Sequence, residues 1–145
     1  MFKKIAVAYD ESPEAERAFR SALGLAKLVG GELYLITVIE NQPAYMSYVS
    51  AIAPEVPLLL KNQKRAFYDD LHNKARATAE KAGVSLHSEM IEGNEIDALL
   101  QGVGRLLPEL LVVGLRRDPG GISRYLGGTA HQLALHAKCD VLGVR

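Results

Sequence analysis

The sequence predicts an α/β domain, a five-stranded parallel sheet with helices on both faces. Five short apolar runs alternate with four segments of helical period in the order β-α-β-α-β-α-β-α-β. Most of the runs lack in-out alternation, so both of their faces should be covered. Strands joined in this way pair in parallel, through right-handed crossovers. At 145 residues the chain has the size of one domain, spanning 1–145.

Residues 5–9 are the first run and the expected central strand, ending on Asp10. Ser12 then offers an N-cap hydroxyl, Pro13 a first helical residue and Glu14 a first-turn acid. Ala15, Phe19, Ala22, Ala26 and Val29 follow at helical spacing until Gly30-Gly31 stops the helix. Residues 33–38 form the second strand. Residues 39–57 hold prolines and tyrosines without a period and read as a loop. From 58 to 82 a long helix should turn Leu60, Phe67, Leu71, Ala75 and Ala82 inward before Gly83 closes it. Residues 84–91 alternate enough for a third strand near the sheet edge. Gly93-Asn94 turns into a helix carrying Ile96, Leu99, Leu100 and Val103, with Asn94 and Asp97 close to a capping box. Pro108 precedes the fourth strand, 109–114. A glycine-bearing loop then leads to a helix with Ile122, Tyr125, Leu126, Ala130, Leu133 and Ala137 inward, and 141–144 is the last strand.

Composition narrows the function. Seventeen basic and seventeen acidic side chains balance without blocks of either sign, so no global field draws the chain to nucleic acid or to an anionic membrane. No run of eighteen apolar residues occurs, and the opening apolar run is too short for a signal peptide. Cys139 is the one cysteine, which rules out an intramolecular disulfide, and no Cys/His spacing suits zinc. A reducing, cytoplasmic setting is expected.

Open parallel sheets bind ligands at the carboxyl ends of strands where the strand order reverses. Here those ends carry Ala8, Tyr9 and Asp10 on strand one, Val38 on strand two, and Val113 and Gly114 on strand four. Gly114-Leu115-Arg116-Arg117, nine residues, then Gly127-Gly128-Thr129 resembles the nucleotide loop of the universal stress protein family, G-x-x-G-x9-G-[S/T]. The resemblance extends over the whole chain, including Gly93 after strand three and the ending His136-Ala137-Lys138-Cys139-Asp140-Val141-Leu142. It implies a Rossmann-like fold of the adenine nucleotide alpha hydrolase-like type, with strand order 3-2-1-4-5. It further implies that Asp10 meets the adenine edge, Val38 borders the base, Gly114 lies by the ribose and the second glycine pair holds phosphates. ATP or AMP is the implied ligand, with Mg2+ admissible beside ATP. A homodimer through Val141, Leu142, Gly143 and Val144 is also implied. Backbone N–H groups at 127–129, at the start of the last helix, suit an anion, and Thr129 could add a hydroxyl.

The chain departs from the motif at two places. Arg117 stands where the second glycine belongs and Gly128 where serine belongs. Arg117 either adds a phosphate contact or fills the site, while Arg116 and Arg124 could raise the local positive potential. Asp10 also has a plain reading as a turn or N-cap acid, and Gly127-Gly128 as a packing device. His72, His87, His131 and His136 read as surface groups or caps, Cys139 as a small core residue, and Glu92 as a turn acid. Three functions compete: a nucleotide-responsive regulator, a relative that has lost the nucleotide and acts through protein contacts, and an enzyme. Some relatives hydrolyse ATP slowly or phosphorylate themselves, yet no residue stands out as the base. A phosphoryl-accepting receiver would need aspartate where Glu92-Gly93 stands and lysine near Val144-Arg145, and no Walker lysine is present.

Overall fold

The computed structural model describes residues 1–116 and 128–145. Its strands are β1 (Lys4–Ala8), β2 (Glu32–Glu40), β3 (Leu86–Gly93), β4 (Leu110–Gly114) and β5 (Asp140–Val144). They form one sheet in the order β3-β2-β1-β4-β5, every pair parallel. The helices are α1 (Pro13–Val29), α2 (Met46–Ile52), α3 (Glu55–Lys81), α4 (Glu95–Leu106) and α5 (Thr129–His136). The predicted order of strands is present, with β1 central and β3 at an edge.

Alternation along each strand divides the core in two. Ile5 and Val7 of β1, Leu33 and Leu35 of β2, and Leu110 and Val112 of β4 face one way, against Ala18, Phe19 and Ala22 of α1 and Ala75 and Ala79 of α3. Ala6, Ile36, Leu111 and Val113 face the other way, against Leu99 and Val103 of α4 and Leu133 of α5. Both faces of β1 are thus sealed, which explains why its sequence shows no polar alternation. α1 begins as its sequence predicts: the Ser12 hydroxyl accepts the Ala15 N–H at 3.1 Å, Pro13 follows, and Gly30 ends the helix in the left-handed region at φ 64°.

Two expectations require correction. Residues 39–57 are not a loop throughout, because β2 runs on to Glu40, α2 occupies Met46–Ile52 and α3 starts at Glu55. Only Met46 of α2 is buried, while Tyr48 and Ile52 are exposed, so this helix has no polar-to-apolar contrast for periodicity to reveal. The inward face of α3 is also rotated. Tyr68, His72, Ala75 and Ala79 are buried, whereas Leu60 and Phe67 are exposed and Leu71 and Ala82 pack at the margin. Tyr68 and His72 can take the core because each finds a polar partner there: Tyr68 Oη donates to Glu11 Oε2 at 2.9 Å, and His72 meets Thr37. At the end of the chain Leu133 is buried as expected and Ala130 and Ala137 are partly so, while Ile122, Tyr125 and Leu126 lie outside the described residues.

Leu35 is fully buried in the middle of β2. Leu35→Ala should therefore lower the free energy of unfolding by about 2–5 kcal/mol, measured by urea titration.

Candidate functional site

The strand order reverses between β1 and β4: β2 and β3 extend to one side of β1, β4 and β5 to the other. At the carboxyl rim of that point Ala8, Val38 and Val113, from three adjacent strands, all pack with the core on the α4/α5 face. They form an apolar floor on one side of the rim. Gly114 ends β4 beside it. A Cβ on Gly114 would stand 2.3 Å from the carbonyl oxygen of Glu14, so the first turn of α1 rests directly on this glycine.

Tyr9 behaves differently from its neighbours. Its ring turns to the α1/α3 face, 5.5 Å from the ring of Phe19, and its hydroxyl donates to Glu16 at 3.1 Å. Burial, reinforced by Glu16, pushes the phenol well above its ordinary pKa. The Tyr9 backbone is engaged as well: its N–H donates to Ile36 O at 2.9 Å and its carbonyl accepts the Thr37 hydroxyl at 2.6 Å. Tyr9 fixes the position of Asp10 and turns its own side chain elsewhere. Asp10 Oδ1 accepts the Ser12 N–H at 2.8 Å, so the turn role is real, while Ser12 is the N-cap.

A polar contact that sequence reasoning missed lies beneath this rim. Thr37 and His72 are 0 % and 3 % exposed, and the Thr37 hydroxyl lies 2.6 Å from His72 Nε2. The one hydroxyl proton is used on Tyr9 O, which assigns the proton in the second bond to Nε2. Burial holds the His72 pKa below its ordinary value, with Asp69 opposing and Arg76 assisting. A threonine within an apolar strand and a histidine on the helix that covers it were the available signal. His72 is therefore no surface group, in contrast to His87, His131 and His136, which are exposed. Glu92 is more than a turn acid: it pairs with Lys61 at 2.8 Å and with Arg65, both on α3.

The far side of the rim brings together α4, α5 and the end of β4. Asn94 caps α4 through the Asp97 N–H at 3.4 Å, and Gly93, at φ 146°, makes the turn that only glycine adopts without strain. Gly128 is the N-cap of α5 and Thr129 its first residue. Among the described residues nothing lies within 4 Å of where a Gly128 Cβ would stand. Glu95, at the start of α4, is half-buried. Burial first, then Glu40 and Asp10, raise the Glu95 pKa, and Arg116 and Thr129 pull it partly back. Glu40, placed by its register opposite Gly93, and Glu95 belong to this rim without having stood out in the sequence. Arg116 is exposed, and its Nε lies 3.1 Å from Glu14 Oε1. Glu14 is held below the usual carboxylate range by its own backbone N–H and by Arg116. Arg117, Arg124 and Gly127 lie outside the described residues. Cys139 is half-buried against the α4/α5 core, and burial raises its thiol pKa.

A doubly wound parallel sheet with a glycine-bearing rim at the switch point defines the Rossmann-like class. Within that class the chain belongs to the universal stress protein family, whose profile matches residues 1–145. It is 27% identical over 145 residues to a universal stress protein of Methanocaldococcus jannaschii, covering 100% of this chain and 83% of that protein. Among solved structures, a universal stress protein in complex with cAMP superposes with a TM-score of 0.73 at 24% identity, over 100% of this chain and 99% of the other. An Arabidopsis thaliana family member with AMP bound gives a TM-score of 0.67 at 22% identity, over 98% and 90% of the two chains.

The Thr37 to His72 contact yields two expected outcomes. Thr37→Val should cost about 1–3 kcal/mol in urea unfolding, because the Tyr9 carbonyl and His72 Nε2–H lose their partner. The lowered His72 pKa means that the unfolded chain binds the proton more readily than the folded one. Its contribution is complete above the unfolded value of about 6.5 and is lost as pH falls below it. Unfolding free energies of wild type and His72→Gln, measured from pH 7.5 to 5, should show a shallower loss in the variant.

Proposed function

We propose that this protein is a cytoplasmic, homodimeric regulator that binds an adenine nucleotide at the carboxyl rim of its sheet. The observation that carries this reading is the meeting of an apolar floor, an acid and a helix start at the switch point. Ala8, Val38 and Val113 supply the floor, Asp10 the acid, and Gly128 and Thr129 the helix start. Family membership and the AMP and cAMP complexes of structural neighbours support it.

In this reading the base lies by Val38 and Ala8, and the Asp10 oxygen not used by Ser12 takes the adenine amine. The ribose passes Gly114. The phosphates approach the N–H groups of Gly128 and Thr129, with Gly127, Arg116 and Arg117 beside them, and Mg2+ would accompany ATP on its phosphate oxygens. Tyr9 contributes by holding Asp10. Binding changes which surface the protein offers to others, and turnover is not its purpose. The exposed edge of β5, where Leu142 is 40% accessible, would pair with its copy through Val141, Leu142, Gly143 and Val144 across a two-fold axis.

A second reading, a stress protein without nucleotide that works only through protein contacts, draws support from the carboxylates on the rim. Thermal unfolding with AMP, cAMP or ATP separates the two. At a hundredfold the dissociation constant the ligand should add about 2.7 kcal/mol of stability, and Asp10→Ala should abolish the gain. No gain with any adenine compound favours the second reading. For the dimer, Leu142→Lys should shift sedimentation from dimer to monomer, and a wild type that is monomeric at tens of micromolar concentration removes the β5 interface.

A further inference from the structure

Two side chains with polar ends occupy the buried face of α3. Tyr68 and His72, one turn apart, are 5 % and 3 % exposed, while Phe67 beside them is 51 % exposed. Burial of apolar area alone favours turning Phe67 inward, because a phenol or an imidazole in the core needs a partner for its polar end. Both polar ends meet their partners around the turn that follows β1. The Tyr68 hydroxyl donates to Glu11 Oε2 at 2.9 Å. His72 Nε2 lies 2.6 Å from the Thr37 hydroxyl, which donates to the Tyr9 carbonyl at 2.6 Å. The residue between these two attachments is Asp10.

Asp10 is thus restrained from both neighbours and through its own side chain. The Tyr9 N–H donates to Ile36 O at 2.9 Å, which continues the pairing of β1 with β2 past Ala8. Glu11 is tied to α3 by Tyr68. The Asp10 carboxylate accepts the Ser12 N–H at 2.8 Å. All of these bonds lie on the β1/β2 side of the rim and join described residues.

We propose that Tyr68 and the Thr37–His72 pair are positioning residues for base selection, holding Asp10 at one point so that its carboxylate meets an amine and rejects a carbonyl oxygen. This rests on the nucleotide reading above and deepens it, by naming what enforces an adenine base. An ionised carboxylate only accepts hydrogen bonds. Held opposite the adenine amine, it pairs with that group and repels the carbonyl oxygen that hypoxanthine carries in the same place. A carboxylate free to swing escapes the repulsion and reaches the protonated ring nitrogen next to that carbonyl. Discrimination between the two bases therefore depends on restraint, and α3 supplies it.

Calorimetric titration of the full chain at pH 7.5 with AMP and IMP isolates the base, since the two share ribose and phosphate. Wild type should prefer AMP about tenfold or more, and Asp10→Ala should bring the two affinities together. Tyr68→Phe removes one oxygen and keeps the ring, and should lower the preference for AMP roughly threefold or more. Thr37→Val should act likewise, and Thr37→Ser, which restores the hydroxyl, should recover the preference. Should Thr37→Val be too unstable to titrate, Tyr68→Phe decides by itself. Leu35→Ala weakens β2 without removing any of these hydrogen bonds, so it separates positioning from lost stability. If AMP binds, the positioning role is overturned, and the nucleotide reading stands, on any of three results: equal affinity of wild type for AMP and IMP, an unchanged preference in either variant, or an equal fall in Leu35→Ala. If AMP does not bind the wild type, both readings fail.

Discussion

Parallel pairing of β1 with β2 on one side and β4 on the other is the constraint from which the rest of the architecture follows. Because β1 is hydrogen-bonded along both edges and covered on both faces, its carboxyl end cannot shift without breaking the ladder. Everything chemically interesting is referred to that end. Tyr9 extends the pairing to Ile36, Thr37 caps its carbonyl, His72 supports Thr37, and Asp10 emerges at a fixed point above them. The rim is therefore rigid on the β1/β2 side, where backbone and buried side chains share the same bonds.

The opposite side of the rim is built from helix starts. Asn94 and Ser12 show local capping, each through its own side chain, whereas Gly128 begins α5 with no side-chain cap. That difference leaves the first N–H groups of α5 without a side-chain cap of their own.

Legibility in the sequence followed how local the cause was. Caps, stops and the fully apolar strands depend on neighbouring residues, so α1, β1 and β4 could be anticipated, while the strand order followed from the family resemblance. α2 could not, since its exposed Tyr48 and Ile52 carry no periodic contrast. On α3 the same rule failed by about a quarter turn: Phe67 looked like the core residue, yet Tyr68 and His72 won the position through partners on β2 and after β1 that lie far away in sequence. At the candidate site, the placement of Ala8, Asp10, Val38, Val113 and Gly114 was legible because strand ends are predictable, and Thr129 through the resemblance of its loop to the family motif. Glu40 and Glu95 were not, because their significance comes from register and helix packing.

The close fit of Gly114 under α1 alters how sequences of this type should be compared. A methyl group at that position collides with main-chain atoms whether or not a nucleotide is present. The first glycine of the loop is thus required by the architecture of this chain, independently of any ligand. Around Gly128, by contrast, no described residue stands within 4 Å of an added Cβ, so among the described residues a side chain there meets no comparable main-chain clash.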